Sequence, residues 1–161
     1  MRFFKIFLLL FILKTPVVLA TEANDIYLMA NAGVKTKKSE TSFLFSFSGG
    51  YAFMDVWGMG VSVSQSNAFD NQNDEKSSFY VGLESRWFFE PIEFSVSAGA
   101  TQLESTSLDP NKWYPLIEGQ ATYEWALLEA LTFRFSLHAE LPLTSALDTS
   151  FGATVGFRYL F

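Results

Sequence analysis

Three residues near the end of the chain carry the functional groups of a hydrolytic triad. Ser136, His138 and Glu140 occupy every second position of one extended run. Alternate residues of a β-strand point to the same face, so the hydroxyl, the imidazole and the carboxylate are expected to lie side by side. These groups are the nucleophile, the base and the orienting acid of serine hydrolases. Same-face neighbours stand about 6.5–7 Å apart, too far for an easy direct hydrogen bond, and this distance argues against catalysis.

Two of these residues belong to a larger set of ionisable residues that share one side of the predicted strands. The set comprises Glu84, Arg86, Glu93, Glu118, Glu124, Arg134, His138, Glu140 and Arg158. The predicted neighbours are Arg86 opposite Glu93, Glu118 near His138, and Glu124 diagonal to Arg134. Buried charges need partners, and three arginines among five carboxylates supply most of them. We therefore expect a salt-bridged lumen charge network that fills a narrow barrel, with no metal site.

The elements that must position these side chains are strands, because apolar residues alternate along almost the whole chain. Eight runs show the alternation, at residues 25–34, 42–53, 57–65, 78–89, 92–103, 113–125, 131–141 and 149–161. The links are short at 54–56, 90–91 and 126–130, and longer and polar at 35–41, 66–77, 104–112 and 142–148. This arrangement predicts an all-β fold, an eight-stranded antiparallel up-and-down transmembrane β-barrel.

Residues 1–20 have the three-part pattern of a secretory signal peptide. Arg2 and Lys5 precede an apolar run, and Ala20 provides the small residue of a cleavage site. The expected mature domain is then residues 21–161, with 8 basic and 17 acidic residues and a net charge near −9. Such a charge argues against a nucleic-acid partner. The chain contains no cysteine, which excludes disulfides and thiol chemistry.

Alternation alone does not say which face of the barrel is apolar. A secreted soluble lipocalin-like lipid carrier has its apolar face inside, whereas a membrane barrel turns it toward lipid. The second face of the third run carries Gly58, Gly60, Ser62 and Ser64, small residues that suit a crowded interior. The lysines after the signal segment, Lys35, Lys37, Lys38, Lys76 and Lys112, all fall in predicted loops. A charge on a lipid-facing strand costs ~2–4 kcal/mol near the midplane, so this distribution favours the membrane barrel.

Aromatic residues gather on the apolar face at the end of the predicted barrel that has the short links. They are Phe53, Trp57, Trp87, Phe89, Tyr123, Trp125, Tyr159 and Phe161. Because amphipathic rings prefer the headgroup layer of a bilayer, we expect these eight residues to form a membrane girdle.

The last residues of the chain resemble the C-terminal assembly signal of bacterial outer-membrane barrels. Phe161 is the final residue, Tyr159 is third from the end, and apolar residues occupy alternate positions before them. The whole mature chain resembles the small eight-stranded barrels of the OmpA and OmpX type. The resemblance implies a place in the outer membrane of a Gram-negative envelope, recognition by the barrel-assembly machinery, and no cofactor. Lipid A deacylases of the PagL type are similar barrels with a His, Ser and Glu set, but their His-x-Ser motif is reversed here as Ser136-x-His138.

We therefore expect a non-enzymatic outer-membrane protein that serves envelope structure or surface interaction through its four long loops. Outer-membrane lipid and lipopolysaccharide are the expected partners, with the basic stretch from Lys35 to Lys38 facing lipopolysaccharide phosphates. The second loop is acidic, with Asp70, Asp74 and Glu75. A lipid A hydrolase and a soluble lipid carrier stay open as alternatives. A porin-like channel needs roughly twice as many strands.

Overall fold

A computed structural model of the chain describes residues 22–38, 40–68, 75–105 and 112–161, and these residues form eight β-strands. The strands are β1 (Ile26–Lys37), β2 (Glu40–Met54), β3 (Trp57–Ala68), β4 (Glu75–Phe89), β5 (Ile92–Ser105), β6 (Trp113–Leu128), β7 (Leu131–Pro142) and β8 (Ser150–Leu160). None of the residues in these ranges lies in a helix that is long and apolar enough to cross a membrane.

The strands form one closed sheet in which each strand pairs antiparallel with its neighbours in sequence. The last strand, β8, also pairs with β1, from Tyr27 opposite Leu160 to Thr36 opposite Phe151. The backbone amide of Phe161 extends this seam by donating to the carbonyl of Ile26 at 2.9 Å. Closure leaves no edge unpaired among the described strands, as a sheet in hydrocarbon requires. The predicted fold class, an eight-stranded antiparallel barrel, is confirmed.

The apolar members of the alternation point away from the barrel axis. Leu83, Phe151 and Phe47 on three different strands are 66%, 63% and 59% exposed. The polar members point inward and are buried. A soluble lipid carrier requires the opposite orientation, so the structure contradicts that alternative. The orientation is the one that a surrounding of hydrocarbon favours.

The lumen is narrow enough that large side chains need small residues opposite them. The Tyr27 side chain of β1 extends over Gly50 of β2 and Gly60 of β3, and a Cβ at either glycine would collide with its hydroxyl group. In the same way, a Cβ at Gly82 would collide with the Tyr80 hydroxyl group. The small residues of the inner face therefore make room for large neighbours, as expected for eight strands.

The first predicted loop, residues 35–41, is wrong. β1 continues to Lys37 and β2 begins at Glu40, with Lys37 opposite Glu40 in the register. Only two residues separate the strands, and the first of them, Lys38, has a positive φ of 53°. Lys35 and Lys37 therefore lie in β1, and the backbone of Lys76 lies in β4. The expectation that lysines avoid strands fails. Lys35 points into the lumen and is buried there, and Lys37 is the last residue of β1.

Several sequence predictions fall outside the described residues. These are the signal peptide at residues 1–20, Asp70 and Asp74 of the second loop, and the central part of the third loop. The other long links join β3 to β4, β5 to β6 and β7 to β8, and the strand ends that they join lie at the same end of the barrel as the end of β1 and the start of β2. We refer to this end as the long-loop end and to the opposite one as the short-turn end.

Candidate functional site in the barrel lumen

Near the short-turn end, three arginines from three strands converge on one carboxylate. Arg86 of β4 and Arg134 of β7 both donate to Oε1 of Glu93 on β5, and Arg158 of β8 lies 3.5 Å from its Oε2. All three arginines are at most 1% exposed. Charge-assisted hydrogen bonds of this kind are about twice as strong as neutral ones, and here they join opposite walls of the barrel.

Two further carboxylates complete this arginine cluster. Glu124 forms ion pairs with two of the arginines: its Oε1 lies 2.9 Å from Arg134 Nε, and its Oε2 lies 2.9 Å from Arg158 Nη2. Glu84 lies 2.6 Å from Arg86 Nη2. The three arginines are thus balanced by Glu84, Glu93 and Glu124, and the charges that burial would otherwise penalise are compensated.

The strand register corrects the predicted positions of these pairs. Arg86 stands opposite Ser95 rather than opposite Glu93, and the two side chains meet only because the arginine reaches two residues along the barrel axis. Glu124 stands directly opposite Arg134 rather than diagonal to it.

The register also defines how Glu118 and His138 are related. The strand partner of Glu118 is Glu140, and that of His138 is Gln120, so Glu118 lies diagonal to His138.

An apolar cluster closes the lumen below the arginines. Tyr27, Met29, Ala52 and Phe88 are buried together there, with Leu160 packed against them. The guanidinium of Arg158 lies 5.5 Å from the centre of the Phe88 ring, within cation–π distance. Water and ions that enter from the short-turn end would therefore meet a hydrophobic layer first and a charged layer second.

A second ionic contact closes the lumen near the long-loop end. Lys35 Nζ lies 3.1 Å from Glu140 Oε2, and both side chains are almost entirely buried. Ser150 donates to the same carboxylate oxygen at 2.5 Å, while Lys35 also donates to Ser78 at 3.3 Å. Ser78 shares a further hydrogen bond of 2.6 Å with Ser66. We call this group the Lys35–Glu140 clamp.

Apolar side chains strengthen the closure at this end. Leu44, Leu103, Tyr114 and Leu116 point inward and are 3–4% exposed. Together with the clamp they separate the middle of the lumen from the long-loop end.

A small polar cavity lies between the two closed layers. It offers about 20 Å³ to a water-sized particle, close to the volume that one water molecule needs. Most of the residues around it are polar and include Asn31, Ser62, Glu84, Glu118 and Gln120. A passage for hydrated ions or solutes needs far more space than this.

The candidate triad is not assembled. Ser136 shares a 2.9 Å hydrogen bond with Thr122, and Glu140 is engaged by Lys35 and Ser150. The imidazole of His138 packs on the backbone at Gly152, and its Nε2 has no hydrogen-bond partner among the described residues. All three side chains are buried in the lumen, whereas a lipid substrate would approach from outside. Within the described ranges, no group of three His, Asp or Glu residues is arranged to hold a metal ion.

The structure places the eight predicted girdle residues on the outer surface around the short-turn end. Several of their rings stack pairwise: Phe53 with Trp57 at 5.4 Å, Tyr123 with Trp125 at 4.5 Å, and Tyr159 with Phe161 at 4.6 Å between centroids. Trp57 Nε1 donates to Ser85 Oγ at 2.9 Å, which satisfies its polar atom on the outer face.

Sequence reasoning missed Lys35, whose charge completes the lumen network. The signal was available in the parity of β1: Tyr27, Met29 and Asn31 face inward, and Lys35 follows them at the same even spacing. The inward-pointing apolar residues at both ends of the lumen were also missed. A single apolar residue on the polar face interrupts the alternation at one position only, so the pattern of the whole strand hides it.

No protein-family model matches the chain, and no curated protein matches it in sequence. Solved structures, in contrast, match over nearly their whole length. Neisserial surface protein A superposes with a TM-score of 0.63 at 12% identity, covering 85% of this chain and 96% of that one. The N-terminal β-barrel domain of Pseudomonas aeruginosa OprF gives a TM-score of 0.61 at 17% identity, covering 88% of this chain and 100% of that one.

A third similar structure is Ail, the attachment invasion locus protein of Yersinia pestis, in complex with the heparin analogue sucrose octasulfate. Its TM-score is 0.54 at 14% identity, with 88% of this chain and 100% of that chain covered. Identities this low establish the fold alone. The chain has the fold of the small eight-stranded outer-membrane β-barrels.

Proposed function

We propose that this chain is a non-enzymatic outer-membrane protein that works as a sealed scaffold and presents its long-loop end at the cell surface. The observation that carries the proposal is the closed lumen: two ionic layers, each backed by apolar side chains, leave a cavity of about 20 Å³ between them. A barrel filled in this way transmits no solute, and its freely accessible polar surface lies at its two ends.

The distribution of charge at the two ends supports this orientation. The charged residues of the described turns and of the chain segment at the short-turn end are all acidic, among them Asp25, Asp55, Glu90 and Glu129. At the long-loop end, Lys37, Lys38 and Lys112 are balanced by Glu40, Glu104 and Asp148. Lysines favour contact with anionic groups such as lipopolysaccharide phosphates. Lys38 is already paired with Asp148 at 2.9 Å, and Lys35 is buried, so the patch is smaller than its sequence indicates.

The assembly machinery of the outer membrane is the second partner in this proposal. The support is the C-terminal strand, whose alternating apolar residues Phe151, Val155, Phe157 and Tyr159 all face outward and end at Phe161. An exposed stripe of this kind is available to another protein before β8 pairs with β1.

Surface presentation and conductance test the scaffold proposal together. A protease-cleavage site inserted between Thr144 and Leu147 should be cut by protease added to intact cells, while the same site inserted at Glu129 should be protected. The purified barrel in planar bilayers should show no stable conductance steps. Cleavage at Glu129 alone in intact cells, or steady pore-like conductance, would contradict the proposal.

The hydrolase alternative has one specific observation in its favour: Nε2 of His138 has no hydrogen-bond partner in the described ranges of the chain. To test this alternative, the purified barrel and its His138→Ala variant are each incubated with lipopolysaccharide, and the lipid A is then analysed by mass spectrometry. We expect unchanged lipid A with both proteins. Loss of an acyl chain with the unsubstituted protein alone would establish the enzyme instead.

A further inference from the structure

A concave apolar groove lies on the outer surface of the barrel, where β8, β1, β2 and β3 run side by side. Its volume is about 500 Å³. Two small outward residues, Ala30 of β1 and Gly49 of β2, form its floor. The larger residues that stand opposite these two in the strand register are Phe157, Phe47, Leu28 and Val61. The groove is therefore a place where the outer face lacks side-chain volume between large neighbours.

An acyl chain is the occupant that fits this groove, because the outer face of the barrel contacts hydrocarbon. Within a bilayer, an apolar chain gains no hydrophobic free energy when it moves from lipid to protein. It gains van der Waals contacts instead, and a chain in a groove contacts the walls as well as the floor. Phe47, Leu28 and Val61 are about half exposed and supply such walls. A chain in the groove is therefore retained longer than one on a flat part of the surface.

The groove extends close to the short-turn end, where the exposed charged side chains of the described ranges are all acidic. Leu28, the third residue of β1, and Tyr159, the last but one of β8, both line it. Two exposed carboxylates adjoin the strands of the groove: Glu22 precedes β1, and Asp55 lies in the turn between β2 and β3. A lipid whose acyl chain lies in the groove places its headgroup near these carboxylates.

We propose that the groove binds one acyl chain of a phospholipid whose headgroup carries a protonated amine, as in phosphatidylethanolamine. The carboxylates of Glu22 and Asp55 attract the ammonium group of this lipid. They repel an anionic headgroup without a cation, such as that of phosphatidylglycerol. The apolar groove thus retains the chain, and the acidic rim selects the headgroup. The site lies in the leaflet at the short-turn end, whichever side of the membrane that end faces.

A competition between two lipids tests the headgroup without any variant. The barrel is purified in detergent with equimolar phosphatidylethanolamine and phosphatidylglycerol that have the same acyl chains, and native mass spectrometry identifies the lipid that stays bound. We expect one lipid per barrel, with phosphatidylethanolamine in about fivefold excess, the preference that a single charge near a membrane surface provides. Equal retention of the two lipids, or retention of neither, overturns the proposal.

A pair of variants locates the bound lipid. Ala30→Phe fills the floor of the groove and should remove most of the bound lipid. Ala98→Phe, at an exposed alanine in the middle of β5 and outside the groove, should leave the lipid in place. Bound lipid that persists in Ala30→Phe overturns the site. A dimer of the barrel that Ala30→Phe dissociates also overturns it, because a second copy of this chain then occupies the groove.

A second pair of variants tests the acidic rim. The first variant combines Glu22→Gln with Asp55→Asn, which keeps the oxygen that accepts a hydrogen bond from the Ala23 amide. It should retain one lipid per barrel but bind the two headgroups about equally. The control combines Glu40→Gln with Glu104→Gln, the same change of net charge at the long-loop end, and should keep the preference. An undiminished preference in the first variant, or its loss in the control as well, overturns the selection by the rim.

Discussion

His138 of β7 stands directly opposite Gly152 of β8, and its imidazole lies where a side chain at position 152 would begin. The pair shows how the lumen accommodates large polar groups: the imidazole of β7 packs directly against the backbone of β8, because glycine has no side chain there. The backbone carbonyl of Val34 approaches the same point from β1, so the position is enclosed on two sides.

Gly152→Ala should therefore destabilise the barrel by about 1–3 kcal/mol, the usual cost of inserting a methyl group into a packed interior. Gly119→Ala is the matched control, because a Cβ there meets no atom within 4 Å. Urea unfolding in detergent measures both variants. Equal stabilities of the two would show that the imidazole moves aside without cost.

Glu93→Gln should reduce the free energy of unfolding by about 3–5 kcal/mol, because it leaves three buried arginines with two carboxylates. Glu129→Gln, at an exposed turn, should change it by less than about 0.5 kcal/mol. The same urea titrations report both values. A small effect at Glu93 would mean that Glu84 and Glu124 alone balance the arginine cluster.

The Lys35–Glu140 clamp should behave as a coupled pair. Lys35→Met and Glu140→Gln should each destabilise the barrel, since either leaves one buried charge uncompensated. The double variant should be more stable than the sum of the two effects predicts, with a coupling energy of about 1–3 kcal/mol. Additive effects in this double-mutant cycle would indicate that the ions do not interact across the lumen.

Charge placed on the outer face should be penalised according to depth. Leu83→Arg, in the middle of β4, should cost ~2–4 kcal/mol in phospholipid vesicles, and Leu128→Arg, at the end of β6, about 0–1 kcal/mol. The two leucines are similarly exposed, at 66% and 67%, so depth is the variable that differs. Equal tolerance of both substitutions would argue that the outer face does not contact hydrocarbon.

Phe161→Ala should lower the amount of folded, heat-modifiable barrel in cell membranes several-fold and alter refolding in detergent much less, if the assembly machinery binds the C-terminal strand. Phe151→Ala is the control, because Phe151 lies on the outward face at the other end of β8 and is equally exposed. The proposed partner is contradicted if both variants assemble equally well, or if Phe161→Ala impairs refolding in detergent to the same degree.

The sequence predicted those features that depend on local alternation. The eight strands, the direction of their apolar faces and the set of inward charges all follow from residue parity, which the backbone of a strand imposes. The fold was therefore accessible without a structural template.

Register and long-range pairing were not accessible in this way. Arg86 was placed opposite Glu93, yet the ladder offsets them by two residues and the arginine side chain bridges the gap. Lys35 was placed in a loop because its neighbours in sequence are polar. Its buried side chain is instead paired with Glu140, which lies 105 residues away in the chain. A pattern read over a few residues contains no information about a partner at that separation.

The convergence of Arg86, Arg134 and Arg158 on Glu93 has a mechanical consequence. These residues come from β4, β7, β8 and β5, so their contacts link β5 across the lumen to β7 and β8 as well as to its neighbour β4. Lateral pressure from surrounding lipids, which would flatten a hollow cylinder into an ellipse, is resisted by these cross-links. The rim at the short-turn end should consequently keep its round outline in membranes of different composition.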